Sequence, residues 1–276
     1  MEQGRIGFIG AGNMASSLIG GLLADGVPAD SIWVSATGQD KLRLLANRWG
    51  VHTTTDNREL ASCCDSVVLA VKPQQIRAVA EEIAPLVQER KPLMVSVAAG
   101  VLERDLERWL GEKVPIVRSM PNTPALVQSG ATGLHANAWV SSEQRDRAES
   151  LLRAVGLTMW VEQEDLLDAV TAVSGCGPAY FFFLMEALEK AGCRLGLDAQ
   201  TARLLVEQTA LGAAKLALET QAGPEELRRR VASPGGVTEK ALSVLQAGDF
   251  EGLIDKALET ARARSKELSE QLGEKA

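Results

Sequence analysis

Arg5-Ile-Gly-Phe-Ile-Gly-Ala-Gly-Asn-Met-Ala15 is the stretch from which the rest of the chain is read. Residues 6–9 make a short apolar strand that runs directly into Gly10-x-Gly12-x-x-Ala15, and a helical spacing begins at once with Met14, Leu18, Ile19, Leu22 and Leu23. Gly10 permits the tight turn, Gly12 lets an anion approach the backbone, and small Ala15 lets the helix pack close to the sheet. The free N–H groups at the helix N-terminus then face a pyrophosphate. A glycine turn set between an apolar strand and an apolar-faced helix predicts a dinucleotide site.

The 276 residues, 46% of them hydrophobic, are enough for one or two domains with a sizeable core. A formal net charge of −7 without a basic cluster argues against nucleic acid or an anionic membrane as partner, since either needs a positively charged face. Cys63, Cys64, Cys176 and Cys193 show neither a metal-ligand spacing nor a disulfide framework, which fits a reduced, cytoplasmic setting. The run from Arg5 to Ala24 contains Asn13, Ser16, Ser17 and five glycines, so it reads as a strand and a helix and not as a secretory leader. No other stretch is expected to approach the roughly 20 apolar residues that span a bilayer.

After the first helix, Gly26 is a stop and residues 32–35 are a second strand. Many NAD-binding turns place an acidic residue at the end of that strand to bind the adenine ribose; Ser35-Ala36-Thr37 stands here instead, with Lys41 and Arg43 just beyond. That favours NADPH over NADH, unless the two cations are simply a solvated helix face. A helix to Trp49 closes at Gly50, residues 51–53 can form a third strand, and Asp56 and Asn57 start a short helix. Residues 66–71 are a buried strand with Lys72-Pro73 at its carboxyl end, and residues 93–97 repeat the pattern before Ala98-Ala99-Gly100. Ligands of open α/β sheets sit at the carboxyl ends of strands, so both segments should border the cofactor. Residues 115–118 are another strand, followed by the rigid loop Ser119-Met-Pro-Asn-Thr-Pro124. Residues 131–136 and 158–161 are the last strands, with a helix over 142–155 between them. The expected fold is therefore an α/β Rossmann-like N-terminal domain with a mostly parallel sheet, residues 1–162, followed by an all-α domain, residues 163–276.

That second domain opens with an apolar helix ending near Val173, a break at Ser174-Gly-Cys-Gly-Pro178, and a new helix from Ala179. Tyr180, Phe181, Phe182 and Phe183 point all round this helix and cannot face one core, so a second subunit should cover the remainder and give a homodimer. Asp198 caps a long helix with small side chains at Ala210, Gly212, Ala213, Ala214 and Ala217, which permit close helix packing. Farther on, in Arg228-Arg-Arg-Val-Ala-Ser-Pro-Gly-Gly-Val-Thr-Glu239, the pair Gly235-Gly236 frees the N–H groups of Val237 and Thr238 at a helix start, and Ser233 and Thr238 add hydroxyls. The result is either a cradle for one small carboxylate or an ordinary inter-helix turn. A last amphipathic helix runs from Phe250 to about Leu272.

Taken together, these separated motifs resemble the pyrroline-5-carboxylate reductase family. The resemblance lies in Phe8-Ile-Gly-Ala-Gly-Asn-Met-Ala15, Ala70-Val-Lys-Pro73, Ala98-Ala-Gly100, Met120-Pro-Asn-Thr-Pro124, Ala172-Val-Ser-Gly-Cys-Gly-Pro-Ala-Tyr180 and Ser233-Pro-Gly-Gly-Val-Thr-Glu239, in order along nearly the whole chain. It implies reduction of 1-pyrroline-5-carboxylate to L-proline, the last step of proline biosynthesis, with NADPH as cofactor and NADH as a weaker one. It also implies cofactor contacts from Ile9, Gly10, Ala11, Gly12, Asn13 and Met14, from Ser35 or Ala36, from Asn57, from Ala70, Val71, Lys72 and Pro73, and from Val97, Ala98 and Ala99. Ser233, Gly236, Val237 and Thr238 would hold the substrate carboxylate, with the Thr238 hydroxyl beside the ring nitrogen as the one catalytic assignment. The family's dimers interlock through their helical domains, often forming rings of dimers, so the Thr238 loop of one subunit would serve the nicotinamide of its partner. Two departures stand out: Cys176 where many members have serine, and Val237 where many bacterial members have threonine.

The chemistry suits a chain poor in titratable side chains at these motifs. A cyclic imine is protonated near neutral pH, and the iminium accepts a hydride at its C=N carbon without a strong side-chain acid, so the task is mostly positioning. His52 and His135 read as structural residues, Tyr180 as packing, and Cys176 as no nucleophile. A 3-hydroxyacid dehydrogenase would need a lysine on the first long helix of the second domain, and that helix offers none before Lys190. A non-catalytic NADPH-binding scaffold would have no use for the Ser233 to Thr238 cradle. A reductase of a six-membered imine stays open, because one methylene is worth only about 1–3 kcal/mol.

Overall fold

The computed structural model describes residues 4–274. One sheet of eight strands carries the first part of the chain: β1 Ile6–Ile9, β2 Ile32–Ser35, β3 His52–Thr54, β4 Ser66–Leu69, β5 Leu93–Ser96, β6 Ile116–Met120, β7 Gly130–Ala136 and β8 Gly156–Trp160. Their order is β3-β2-β1-β4-β5-β6-β7-β8, and every neighbouring pair is parallel except β6 with β7. β1, β4 and β5 are buried along their whole length, as strands covered by helices on both faces must be. Alternate residues feed two cores: Phe8, Val68 and Val95 pack on one side, Ile9, Leu69 and Met94 on the other.

The helices between the strands begin and end where local chemistry dictates. They are α1 Asn13–Ala24, α2 Gln39–Trp49, α3 Asn57–Cys63, α4 Pro73–Arg90, α5 Glu103–Leu110 and α6 Ser142–Arg153. Gly50 closes α2 in the left-handed conformation, Asp56 caps α3 by accepting the N–H groups of Arg58 and Glu59, and Ser141 and Gln144 form a reciprocal capping box on α6. α4 and α5 lie outside the helices expected from the sequence. The expected strands also run slightly too far at their carboxyl ends: β4 stops at Leu69 and β5 at Ser96, where the backbone turns off the sheet.

The expected helix break at Ser174-Gly-Cys-Gly-Pro178 is absent. α7 Leu166–Val170 continues through a π-helical turn, Thr171–Gly175, into α8 Gly177–Arg194. The reason lies in one carbonyl. In an α-helix the Ser174 C=O would accept the N–H of residue 178, and Pro178 has none. The widened turn gives the Cys176 N–H to Thr171 at 2.8 Å, and the stranded Ser174 carbonyl accepts instead from Asn122 Nδ2 at 3.0 Å. The helix stays continuous. As one segment, Leu166–Arg194 is long and apolar enough to cross a membrane by length and composition, which corrects the expectation that no stretch past the first helix comes near that length.

By packing, the described chain divides into two units. The first runs to Cys176 and resumes at Ala261; the second is Gly177–Thr260. The division proposed from sequence, at 162/163, falls ahead of α7, whose residues pack on the sheet through Val170 against Gly133. The second unit is helical throughout: α8, α9 Ala199–Glu219, α10 Pro224–Val231, α11 Val237–Ala247 and the first part of α12 Phe250–Glu274. Asp198 caps α9 through the Thr201 N–H. Among its described residues only Gly177 and Ala202 are buried, while Phe181, Phe182 and Phe183 are 64%, 64% and 72% exposed.

Candidate cofactor and carboxylate sites

The sheet register brings the expected cofactor segments together. Ile9 is level with Ser35 on one side and Leu69 on the other, and Leu69 is level with Ser96. Gly10, Ala36, Ala70 and Val97 therefore leave four neighbouring strands at one edge, where the strand order reverses between β1 and β4. That is the crevice position for a ligand of an open α/β sheet.

The first turn shows why two glycines are there. Gly10 has φ +112°, and a Cβ on it would come within 2.5 Å of the Ala70 carbonyl. Its N–H donates to Ser35 O at 2.8 Å, and Ala70 N–H donates to Ile9 O at the same distance. Gly10 is thus required by the fold. Gly12 is not, because a Cβ there would meet no protein atom within 4 Å. It caps α1 without any side-chain hydrogen bond to the first turn, and that turn carries no acidic residue. Open space over uncapped N–H groups at the positive end of a helix suits a pyrophosphate, and the residues present fit a dinucleotide.

Around the turn the expected residues differ in accessibility. Ser35 is buried, and its hydroxyl donates to Asn57 Oδ1 at 2.8 Å, while Asn57 Nδ2 donates to Glu82 Oε2 at 2.8 Å. Ala36 is half-buried, Thr37 is exposed, and Lys41 and Arg43 stand on an exposed face of α2. Arg43 has Asp40 at 3.9 Å, a loose pair with both side chains in solvent. Lys72 caps α4 with Pro73 in its first turn, and Ala99 is exposed while Ala98 is buried.

The candidate carboxylate cradle lies in the helical unit. Gly235 has φ +71°, and Gly236 N–H donates to Ser233 O at 2.9 Å, a contact so close that a Cβ on Gly236 would lie 2.9 Å from that oxygen. Gly236 caps α11 with no side-chain partner, so the N–H groups of Val237 and Thr238 open the helix. Val237 is 89% exposed and Thr238 half-buried. The sequence reading assigned no role to Glu239. Its Oε2 accepts the Gly235 N–H at 2.6 Å and ties the glycine loop to the helix it precedes. An acidic residue following a Gly-Gly helix start was the available signal. Two other sequence markers meet: the Met120 methyl lies against Gly175, and Asn122 bridges the π turn and the start of β7 by accepting the Ala131 N–H at 2.9 Å.

Among the described residues no group of three or more His, Cys, Asp or Glu side chains could hold a metal ion, and all four cysteines are free. His52 stacks on Trp33 with ring centroids 4.7 Å apart. His135 lies between Glu103 and the Val161 carbonyl.

Comparison with known proteins accords with this arrangement. Residues 164–268 match the family model for pyrroline-5-carboxylate reductase dimerisation, and residues 5–100 match that of NADP oxidoreductase coenzyme F420-dependent proteins. A pyrroline-5-carboxylate reductase of Pseudomonas aeruginosa is 52% identical over 99% of this chain and 100% of its own length. The structure of a Coxiella burnetii pyrroline-5-carboxylate reductase superposes with a TM-score of 0.95 at 50% identity, covering 97% of this chain and 99% of that one. A Plasmodium falciparum pyrroline carboxylate reductase solved with NADP bound gives 0.84 at 30% identity, with coverage of 98% and 99%. With its Rossmann-like sheet, its helical dimerisation domain and relatives matched from end to end, the chain belongs to the pyrroline-5-carboxylate reductase family.

Proposed function

We propose that this protein reduces 1-pyrroline-5-carboxylate to L-proline with NADPH, as the last step of proline biosynthesis in the cytoplasm. The observation that carries the reading is the uncapped start of α11 behind Gly235 and Gly236, an anion cradle for which a nucleotide-binding scaffold alone would have no need. When bound, NADPH supplies the hydride that the C=N carbon of the imine receives, and the ring nitrogen keeps the proton that makes it an iminium.

In this reading the residues divide the labour. The N–H groups at the start of α1, reached over Gly12, hold the pyrophosphate, with Ile9, Gly10, Ala11, Asn13 and Met14 forming its bed. Ala36 lies toward the adenine ribose, with Ser35 and Asn57 supporting it through their mutual hydrogen bond. Ala70, Val71, Lys72 and Pro73 flank the cofactor on one side and Val97, Ala98 and Ala99 on the other. Ser233, Gly236, Val237 and Thr238 hold the substrate carboxylate through two backbone N–H groups and two hydroxyls. Val237, so exposed, acts through its backbone, which makes its replacement of threonine a small change. The Thr238 hydroxyl orients the ring nitrogen, and the amine formed on hydride arrival takes a second proton from water. Excluding bulk water and fixing the ring against the hydride donor then supply most of the acceleration.

We further read residues 1–162 and 163–276 as the two domains, a division supported by the start of the dimerisation match at residue 164. The exposed aromatics of α8 support an interlocked homodimer, and the family resemblance extends this reading to rings of such dimers. The reading is tested by following NADPH oxidation with pyrroline-5-carboxylate in the parent and in Thr238→Ala, and repeating with NADH and the six-membered imine. A fall of at least about tenfold in kcat/KM is expected from losing one hydrogen bond to a charged group. NADPH binding without any turnover would refute the reductase; turnover indifferent to the substitution would remove Thr238 from it.

A further inference from the structure

Beside the loop that leaves β5 lies a partly buried chain of charges to which neither motif nor mechanism has assigned a task. Arg118 on β6 has only 9% of its side chain exposed, and its Nη1 donates to Glu164 Oε1 at 2.5 Å. The same carboxylate oxygen accepts the backbone N–H of Glu103, the first residue of α5, at 2.6 Å. The side chain of Glu103 turns the other way, placing Oε2 at 3.3 Å from His135 Nε2. His135 Nδ1 lies 3.3 Å from the carbonyl oxygen of Val161.

Both ring nitrogens of His135 therefore face oxygen acceptors. A neutral imidazole has one N–H and leaves the other nitrogen's lone pair against an oxygen; an imidazolium satisfies both. The charged groups facing the ring are Glu103 from α5, Glu164 from the segment after β8, and Arg118, its cross-strand neighbour on β6, whose charge Glu164 offsets. The hydrogen bond to the Glu103 carboxylate raises the His135 pKa, against the opposing effect of burial, and the Val161 carbonyl and the two carboxylate charges add to the rise.

The position of this chain of charges gives it a role. Residues 97–102 cross between two fixed points, Ser96 at the end of β5 and Glu103 at the start of α5. The near point is held by the sheet and by Ser119 Oγ, which donates to Ser96 O at 2.8 Å. The far point is held by Glu164. We propose that Glu164, fixed by Arg118, is a positioning residue for NADPH that latches the loop of residues 97–100 by gripping the first N–H of α5, with His135 holding Glu103 in line. This rests on the reading of Val97, Ala98 and Ala99 as cofactor contacts.

The test measures NADPH affinity and kcat at saturating NADPH in the full chain carrying Glu164→Ala, Glu164→Gln, His135→Gln or Ala99→Trp. Glu164→Ala is expected to weaken NADPH binding about tenfold and leave kcat at saturation within about twofold, because the latch acts on the cofactor loop and not on the imine. Glu164→Gln keeps an acceptor oxygen for the Glu103 N–H and is expected to recover most of the affinity. The parent should bind NADPH more weakly as His135 loses its proton with rising pH, and His135→Gln should remove that part of the pH dependence. Affinity unchanged in a folded Glu164→Ala protein, while Ala99→Trp weakens binding, would overturn the latch and keep the loop as a cofactor contact. Affinity unchanged in Ala99→Trp would overturn the loop reading on which the latch depends. Should Glu164→Ala not fold, identical pH profiles of NADPH affinity for the parent and His135→Gln would overturn the proposal equally.

Discussion

Asn122 donates from Nδ2 to the Ser174 carbonyl at 3.0 Å, filling the place that the missing N–H of Pro178 leaves open. The same side chain accepts the Ala131 N–H at 2.9 Å. One amide thus joins the loop after β6, the first residues of β7 and the π turn between α7 and α8. A proline four residues after a carbonyl normally kinks or ends a helix. Here a side chain from elsewhere in the fold satisfies the carbonyl, and the helix runs on.

Replacing Asn122 by alanine should leave both a donor and an acceptor without partners in a half-buried place. The expected cost is about 1–3 kcal/mol, seen as a melting temperature lower by roughly 2–4 °C per kcal/mol for a chain of this size. Asn122→Asp keeps the acceptor for Ala131 and loses the donor to Ser174, so it should fall between the two. Melting of Asn122→Ala at the parent temperature would show that the bridge carries no stability.

Gly10 and Gly12 should separate stability from binding. Gly10→Ala meets the Ala70 carbonyl and a φ of +112°, so a large loss of stability is expected, on the order of 2–4 kcal/mol from strain and overlap together. Gly12→Ala meets nothing in the protein and should melt within about 0.5 kcal/mol of the parent, yet weaken NADPH binding severalfold by intruding on the pyrophosphate. Thermal melts with and without NADPH check both. Unchanged NADPH stabilisation in Gly12→Ala would place the cofactor elsewhere.

The contrast between these two glycines also shows what could be read in advance. A turn that needs positive φ and an open helix start leave a signature in three residues, and so do caps such as Asp56 and Asp198, whose effects are local. α5 escaped notice because eight residues give too few turns for a period to show. α4 escaped because Pro85 lies inside a helix whose outer face is charged. The break expected at Ser174 to Pro178 followed sound local rules, since glycine and proline disfavour a helix there. What overrides them is Asn122, and a contact between residues 52 apart has no local trace. Glu164 and Arg118, 46 residues apart, are hidden for the same reason. The candidate nucleotide turn and cradle were legible because each is built from consecutive residues, whereas their supports come from distant parts of the chain.

His135 should give stability a pH dependence of definite sign. Its pKa is raised above the ordinary 6.5 by Glu103, so the folded state binds the proton more tightly than the unfolded chain. Such a contribution is fully present below the unfolded value and is lost as pH rises through the folded one. The difference in melting temperature between the parent and His135→Gln should be largest near the acid side of that window and shrink as the medium becomes alkaline. A difference that is constant across this range would mean that His135 contributes packing alone.

The aromatic face of α8 sets the last expectation. Phe181, Phe182 and Phe183 stand in solvent in a single copy, and a helical unit with so few buried residues has little apolar core of its own. Within a dimer they would be covered, so Phe182→Glu would bury an unpaired carboxylate at a cost on the order of 3–5 kcal/mol. Sedimentation equilibrium of the parent should report a dimer or a multiple of it at all practical concentrations, and Phe182→Glu should shift to smaller species with a lower melting temperature. Reductase activity should fall with the dimer and not with the loss of NADPH affinity, which the first unit should retain. The length and apolarity of Leu166–Arg194 supply the competing outcome: a parent chain that partitions into lipid vesicles and stays monomeric in detergent would assign this helix to a membrane instead of to a second copy.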